Sequence, residues 1–141
     1  DLAFFEDLKQ AALLPDKTLV DAMVAAMAVG ELYERIGKLR NARARGEMAE
    51  MAQLACNFAK HTALLLGLVH RHLYRTGMTI LAESLTLPDR PAGYDDLCRL
   101  VMAGDLRDPD GVAAALEATW AGLGLWLARH GVDTSTATAG L

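Results

Sequence analysis

The stretch 48-MAEMAQLACNFAKHTALLLGLVHRHL-73 decides the fold class. Met48, Met51, Ala55, Phe58, Thr62, Leu65, Val69 and Leu73 recur at spacings of three and four, the period of one face of an α-helix. Leu64, Leu66 and Leu68 cover much of the remaining circumference, so this helix is expected at the centre of the protein. Its longest apolar run, Thr62–Val69, has eight residues and is far too short to span a bilayer.

The segments on either side read the same way. "DLAFFEDLKQAALL" carries Leu2, Phe5, Leu8 and Ala12 on one face and stops at Pro15. Asp16 is a plausible N-cap for a long helix reaching Arg45, whose Arg40, Arg43 and Arg45 suit the negative end of a helix dipole. Beyond the central helix, Thr76 and Gly77 are the expected break. A short helix "TILAESLTL", a turn "DRPAG" and a helix "YDDLCRLVMA" closed by Gly104 follow. Asp108 and Pro109 start a last helix, with Val112, Leu116, Leu123 and Leu127 as its seam and Gly131 at its end. Gly122 and Gly124 inside it cost about 1 kcal/mol each against Ala, a cost that close packing would offset. No strand pattern and no repeat appears. The expected fold is all-α, an antiparallel up-and-down helical bundle of about five main helices with the short ones filling the fourth position, over residues 1–131, and a flexible tail over 132–141.

The 141 residues suit one domain with one core, 52% apolar and only 6% aromatic, hence built mainly of Leu, Ala, Val and Met. A net charge of −4 argues against a nucleic-acid binder held by phosphate neutralisation. Cys56 and Cys98 lie in apolar helical patterns and read as free thiols of a cytoplasmic protein. No basic stretch followed by an apolar one opens the sequence, so neither a secretory signal nor a membrane span is expected. The first residue is Asp rather than Met, so the chain is expected to be a fragment, a processed product or a sequence numbered from a late start.

Little catalytic chemistry is legible. His61, His70, His72 and His130 form no HxxxH or HExxH spacing, so they read as satisfied bundle histidines and no metal site is expected. Asp108-Pro109-Asp110 resembles a metal-binding pair but is explained by capping. There is no GxSxG, no Gly-rich loop after a strand, and no histidine with an arginine four to six residues upstream. What remains is 30-GELYERIGKLRN-41. Extending the stripe of Val20, Met23, Val24 and Met27 in steps of three and four reaches Glu31, Glu34 and Lys38, within about 60° of one another on a regular helix. An exposed ion pair, worth about 0.3–0.5 kcal/mol, is the simple reading. The functional one is a pocket wall for a cationic or hydroxylated ligand. In it Glu31 raises and Lys38 lowers the pKa of Glu34, tuning a general base.

"GELYERIGKLRN", "LLLGLVHRHLYRT", "PAGYDDLCRLVMAGDL" and "WAGLGLWLARHG" stand in the order and spacing of a known family. Over residues 1–133 the chain resembles the C-terminal helical domain of kanamycin nucleotidyltransferase. The resemblance implies an aminoglycoside substrate, antibiotic resistance, and transfer of a nucleoside monophosphate to the drug's 4′-hydroxyl with release of pyrophosphate. It implies that Glu34 is the general base, that Lys38 helps hold the nucleotide phosphates, and that Glu31 faces ammonium groups of the drug. Gly30 stands where the family pattern has another acid. A Mg-nucleotide such as ATP would be bound by an N-terminal nucleotidyltransferase domain, or a separate subunit, because this chain has no Gly-Ser turn and no strand carrying metal-binding acids. A homodimer with composite active sites is also implied. The alternative is a stand-alone, non-catalytic helical partner of a minimal nucleotidyltransferase.

Overall fold

The computed structural model describes residues 2, 3 and 16–134. It is all-α, with no strand among the described residues. Helix α1 spans Lys17–Met27, a π-helical turn Ala28–Leu32, α2 Tyr33–Arg45, α3 Met51–His70, a 3₁₀ turn Gly77–Thr79, α4 Ile80–Ser84, α5 Tyr94–Ala103 and α6 Pro109–Arg129. The expected first helix falls outside the described residues apart from Leu2 and Ala3, which are helical. Residues 135–141 of the expected tail fall outside them too. Val132 does not belong to a tail, since it is packed in the core and its N–H reaches the Leu127 carbonyl.

Helix α3 is central, touching α1, the π turn, α2, α4, α5 and α6. Its Met51, Ala55, Phe58, Leu65 and Leu66 meet Leu32, Leu39, Tyr94, Leu97, Leu123 and Trp126 in one core. Each such large apolar side chain contributes about 1.5–3 kcal/mol by leaving water. The buried hydroxyls are all satisfied: Thr62 and Thr119 donate to carbonyls one turn back, and Ser84 donates to the Leu81 carbonyl while sharing a hydrogen bond with Tyr94. Helix α6 has the length and hydropathy to cross a membrane, but its Val112, Ala113, Leu116, Leu123, Trp126 and Leu127 are buried in this core.

Several element ends differ from the sequence expectation. Helix α3 stops at His70, not at Thr76–Gly77: Arg71 adopts the left-handed conformation (φ 57°), and the His72 N–H closes onto the Gly67 carbonyl at 2.8 Å. The chain then doubles back, and the Tyr74 hydroxyl donates to the Ala63 carbonyl. A Cβ at position 67 would lie 2.8 Å from the Tyr74 ring and 3.1 Å from the His72 carbonyl oxygen, so a larger residue there would displace the returning chain. Asp16 caps α1 as expected, accepting from the Thr18 N–H at 3.0 Å. Asp108 occupies the N-cap of α6 without a capping hydrogen bond from its side chain, so Pro109 carries the start signal.

Candidate functional site

The expected single helix from Asp16 to Arg45 is interrupted by the π turn at Ala28–Leu32, and the interruption has a cause in the sequence. The core-facing residues are Val24, Ala28, Leu32 and Ile36, three consecutive steps of four. On a regular helix those steps would rotate the stripe by about 120°, and one wider turn takes up the drift. The core seam therefore stays apolar through Leu39. Met23, Met27, Glu31, Glu34 and Lys38 form its flank, where Met23 is exposed and Met27 half-buried. The seam does not itself turn charged.

On this flank Glu34 and Lys38 pair at 3.0 Å, each 59% exposed. The hydrogen bond from Lys38, then its charge, hold the Glu34 carboxyl below its ordinary value, so Glu34 is ionised at neutral pH. Glu31 turns elsewhere. Its carboxylate lies 3.5 Å from Arg35 Nη2 and 3.7 Å from His61 Nε2. The expected lowering of Glu34 by Lys38 is present, but Glu31 is not among the groups that shift Glu34 and belongs to a separate Glu31–Arg35–His61 group. Sequence reasoning missed Arg35 and its neighbour His61. Arg35 lies four residues after Glu31, which is a readable signal, but nothing in the sequence brings α3 to it. Gly30 sits in the middle of the π turn with open space around its Cα.

Two other polar groups pin the surrounding helices. Arg40 on α2 forms a two-pronged pair with Glu117 on α6, at 2.9 and 3.0 Å. Asp89 accepts from the Trp126 indole and from His130, while its backbone carbonyl accepts from His70. His72 pairs with Glu83. Every histidine thus has a protein partner, and no cluster of three or more His, Cys, Asp or Glu able to hold a metal occurs among the described residues.

Between the π turn and α6 lies a concave apolar site of about 270 Å³, lined by Ala28, Val29, Tyr33, Trp120, Gly124 and Leu127 among others. Tyr33 and Trp120 meet at its edge with ring centroids 6.1 Å apart and planes tilted by 49°. Tyr33 immediately precedes Glu34, so this aromatic pair borders the charged flank.

Comparison with known proteins places the chain in a family. Residues 2–133 match the family described as the KNTase C-terminal domain. The chain is 37% identical over 134 residues to Aminoglycoside nucleotidyltransferase (4') of Staphylococcus aureus, covering 94% of this chain and 53% of that relative. The protein of the same description from Bacillus sp gives the same identity and coverage. The chain spans about half the length of these curated relatives. The resemblance found in the four quoted segments is borne out over nearly the whole chain, which belongs to the KNTase C-terminal domain family.

Proposed function

We propose that this chain is the substrate-side half of an aminoglycoside-type 4′-nucleotidyltransferase. Glu34 serves as general base, Glu31 meets an ammonium group of the drug, and Lys38 helps hold the nucleotide phosphates. The carrying observation is the 37% identity over 94% of the chain to relatives described as aminoglycoside 4′-nucleotidyltransferases. Two local features support the residue roles. The Glu34 carboxylate is ionised and exposed, hence in the form that can accept a hydroxyl proton. The π turn directly before it is of a kind often found at functional sites.

In this reading Glu34 takes the proton as the drug's hydroxyl oxygen becomes the nucleophile, and the carboxylates favour a polycationic substrate. Lys38 must leave Glu34 in part for the hydroxyl to reach it. Both side chains are exposed and the pair is screened by solvent, so the exchange is inexpensive. The Mg-nucleotide belongs to a domain or subunit outside this chain, and a homodimer is part of the same proposal. If the protein is instead a non-catalytic helical partner, Glu34–Lys38 is simply a solvated ion pair.

The test uses the full native protein with Mg-ATP and two aminoglycosides, one bearing and one lacking a free 4′-hydroxyl. Pyrophosphate release with the first only is the expected result. No release with either, in a native reading frame that encodes no nucleotidyltransferase domain, would leave the helical-partner reading in its place.

A further inference from the structure

Glu31 and Glu34 are three residues apart but differ in what surrounds them. Glu34 faces solvent and Lys38, and both side chains are largely exposed. Glu31 lies beside a guanidinium that is not free: the Arg35 side chain is only 17% exposed, and its Nε is buried with no hydrogen-bond partner. Arg35 Nη2 also lies 3.4 Å from His61 Nε2. The other ring nitrogen, Nδ1, is committed to donating to the Asn57 carbonyl at 2.8 Å, so in the neutral ring Nε2 presents a lone pair to Arg35. Burial and His61 together keep the guanidinium where it is. At 3.5 Å its contact with Glu31 is a loose one, but its charge is permanent.

We propose that Arg35 is a specificity-determining residue, a fixed internal countercharge that competes with substrate ammonium groups for Glu31, with His61 as the positioning residue that holds it from α3. This rests on the reading that the flank meets an aminoglycoside. It deepens that reading by naming what sets its specificity: with Arg35 beside it, Glu31 prefers a ring ammonium over a hydroxyl in its place less strongly than a lone carboxylate would. Gly30 acts in the same direction by leaving the neighbouring position without charge.

The test is titration calorimetry on the full native protein without nucleotide, so that binding is read whether or not transfer occurs. The probes are two aminoglycosides with free 4′-hydroxyls that differ by one amino-for-hydroxyl replacement. Arg35→Gln should bind the amino compound about two- to fivefold more tightly than wild type, in the range of an exposed charge pair. Arg35→Lys, which keeps the charge, should stay near wild type. Glu31→Gln should weaken binding by less than about fivefold, because Glu31 is already compensated, and in that background Arg35→Gln should bring no gain. Tighter binding is a result that mere loss of structure would not give. The proposal is overturned if Arg35→Gln binds no tighter, if its gain persists without Glu31, or if Glu31→Gln costs more than about fivefold. The last arm decides the matter even if Arg35→Gln does not fold. Wild type binding neither compound would overturn the aminoglycoside reading as well, whereas binding that Arg35 does not affect overturns this inference alone.

Discussion

Asp89 joins three parts of the molecule through few atoms: one carboxylate oxygen accepts from Trp126 and His130 on and after α6, and its carbonyl accepts from His70 at the end of α3. Its carboxyl is held below the ordinary value, chiefly by the hydrogen bond from His130 and also by that from Trp126. A folded pKa below the unfolded one means that the stabilisation is present above the unfolded value and is lost as pH falls through the folded one. Asp89→Ala should lower unfolding stability at pH 7 by about 1 kcal/mol, since the Trp126 N–H loses its acceptor while the half-exposed carboxylate is screened by solvent. The gap to wild type should narrow below about pH 4, which urea midpoints at several pH values would measure. Cys98 gives a second check: burial pushes its thiol up to about 11, so a thiol reagent should label half-buried Cys56 well before Cys98 in the native protein. At this scale the sequence was readable where partners are near in the chain. The Glu34–Lys38 pair follows from a spacing of four. Arg35–His61 and Asp89–His130 do not, because they depend on how distant helices are placed.

The elements were legible wherever apolar spacing or a glycine marks them. Helix α5 begins and ends where "YDDLCRLVMA" places it, with Gly104 in the left-handed conformation. The π turn was not legible as an interruption, because the stripe was continued from Met23 and Met27 on a regular helix rather than along Val24, Ala28, Leu32 and Ile36. Nor was the early end of α3, which depends on Tyr74 folding back onto Gly67. The two glycines of α6 separate what the sequence treated alike. A Cβ at Gly122 would lie 2.0 Å from the Ala92 carbonyl oxygen, whereas one at Gly124 would meet nothing within 4 Å. Close packing accounts for the first and not the second. Gly122→Ala should destabilise by about 2 kcal/mol or more through overpacking against backbone, while Gly124→Ala should stabilise by about 0.5–1 kcal/mol through helix propensity. Thermal unfolding of the two variants would show shifts of opposite sign. Gly30 also has open space, so Gly30→Glu should fold and should tighten binding of a polycationic aminoglycoside.

For the molecule as a whole, the all-α class and the central place of α3 follow from its nearly all-round apolar surface. The site is less legible because the proposed reading makes it only part of a site, in which exposed carboxylates and Lys38 act with groups outside this chain. Exposed Leu64 and Leu73 share a groove with Met27, Leu68 and Ile80, which fits the proposed self-association. Sedimentation of the full protein should give a dimer at micromolar concentration, and a clean monomer would count against it. The central claim is that Glu34 carries the chemistry while its neighbours carry binding. Glu34→Gln alters an exposed position, so the fold should be kept. The most direct measurement is single-turnover transfer by the full native protein, paired with drug Kd, for Glu34→Gln and Glu31→Gln. The account expects Glu34→Gln to slow transfer by roughly 10²–10⁴-fold with Kd almost unchanged, and Glu31→Gln to change Kd more than the rate. Near wild-type transfer by Glu34→Gln would contradict it and leave Glu34 and Lys38 a solvated ion pair.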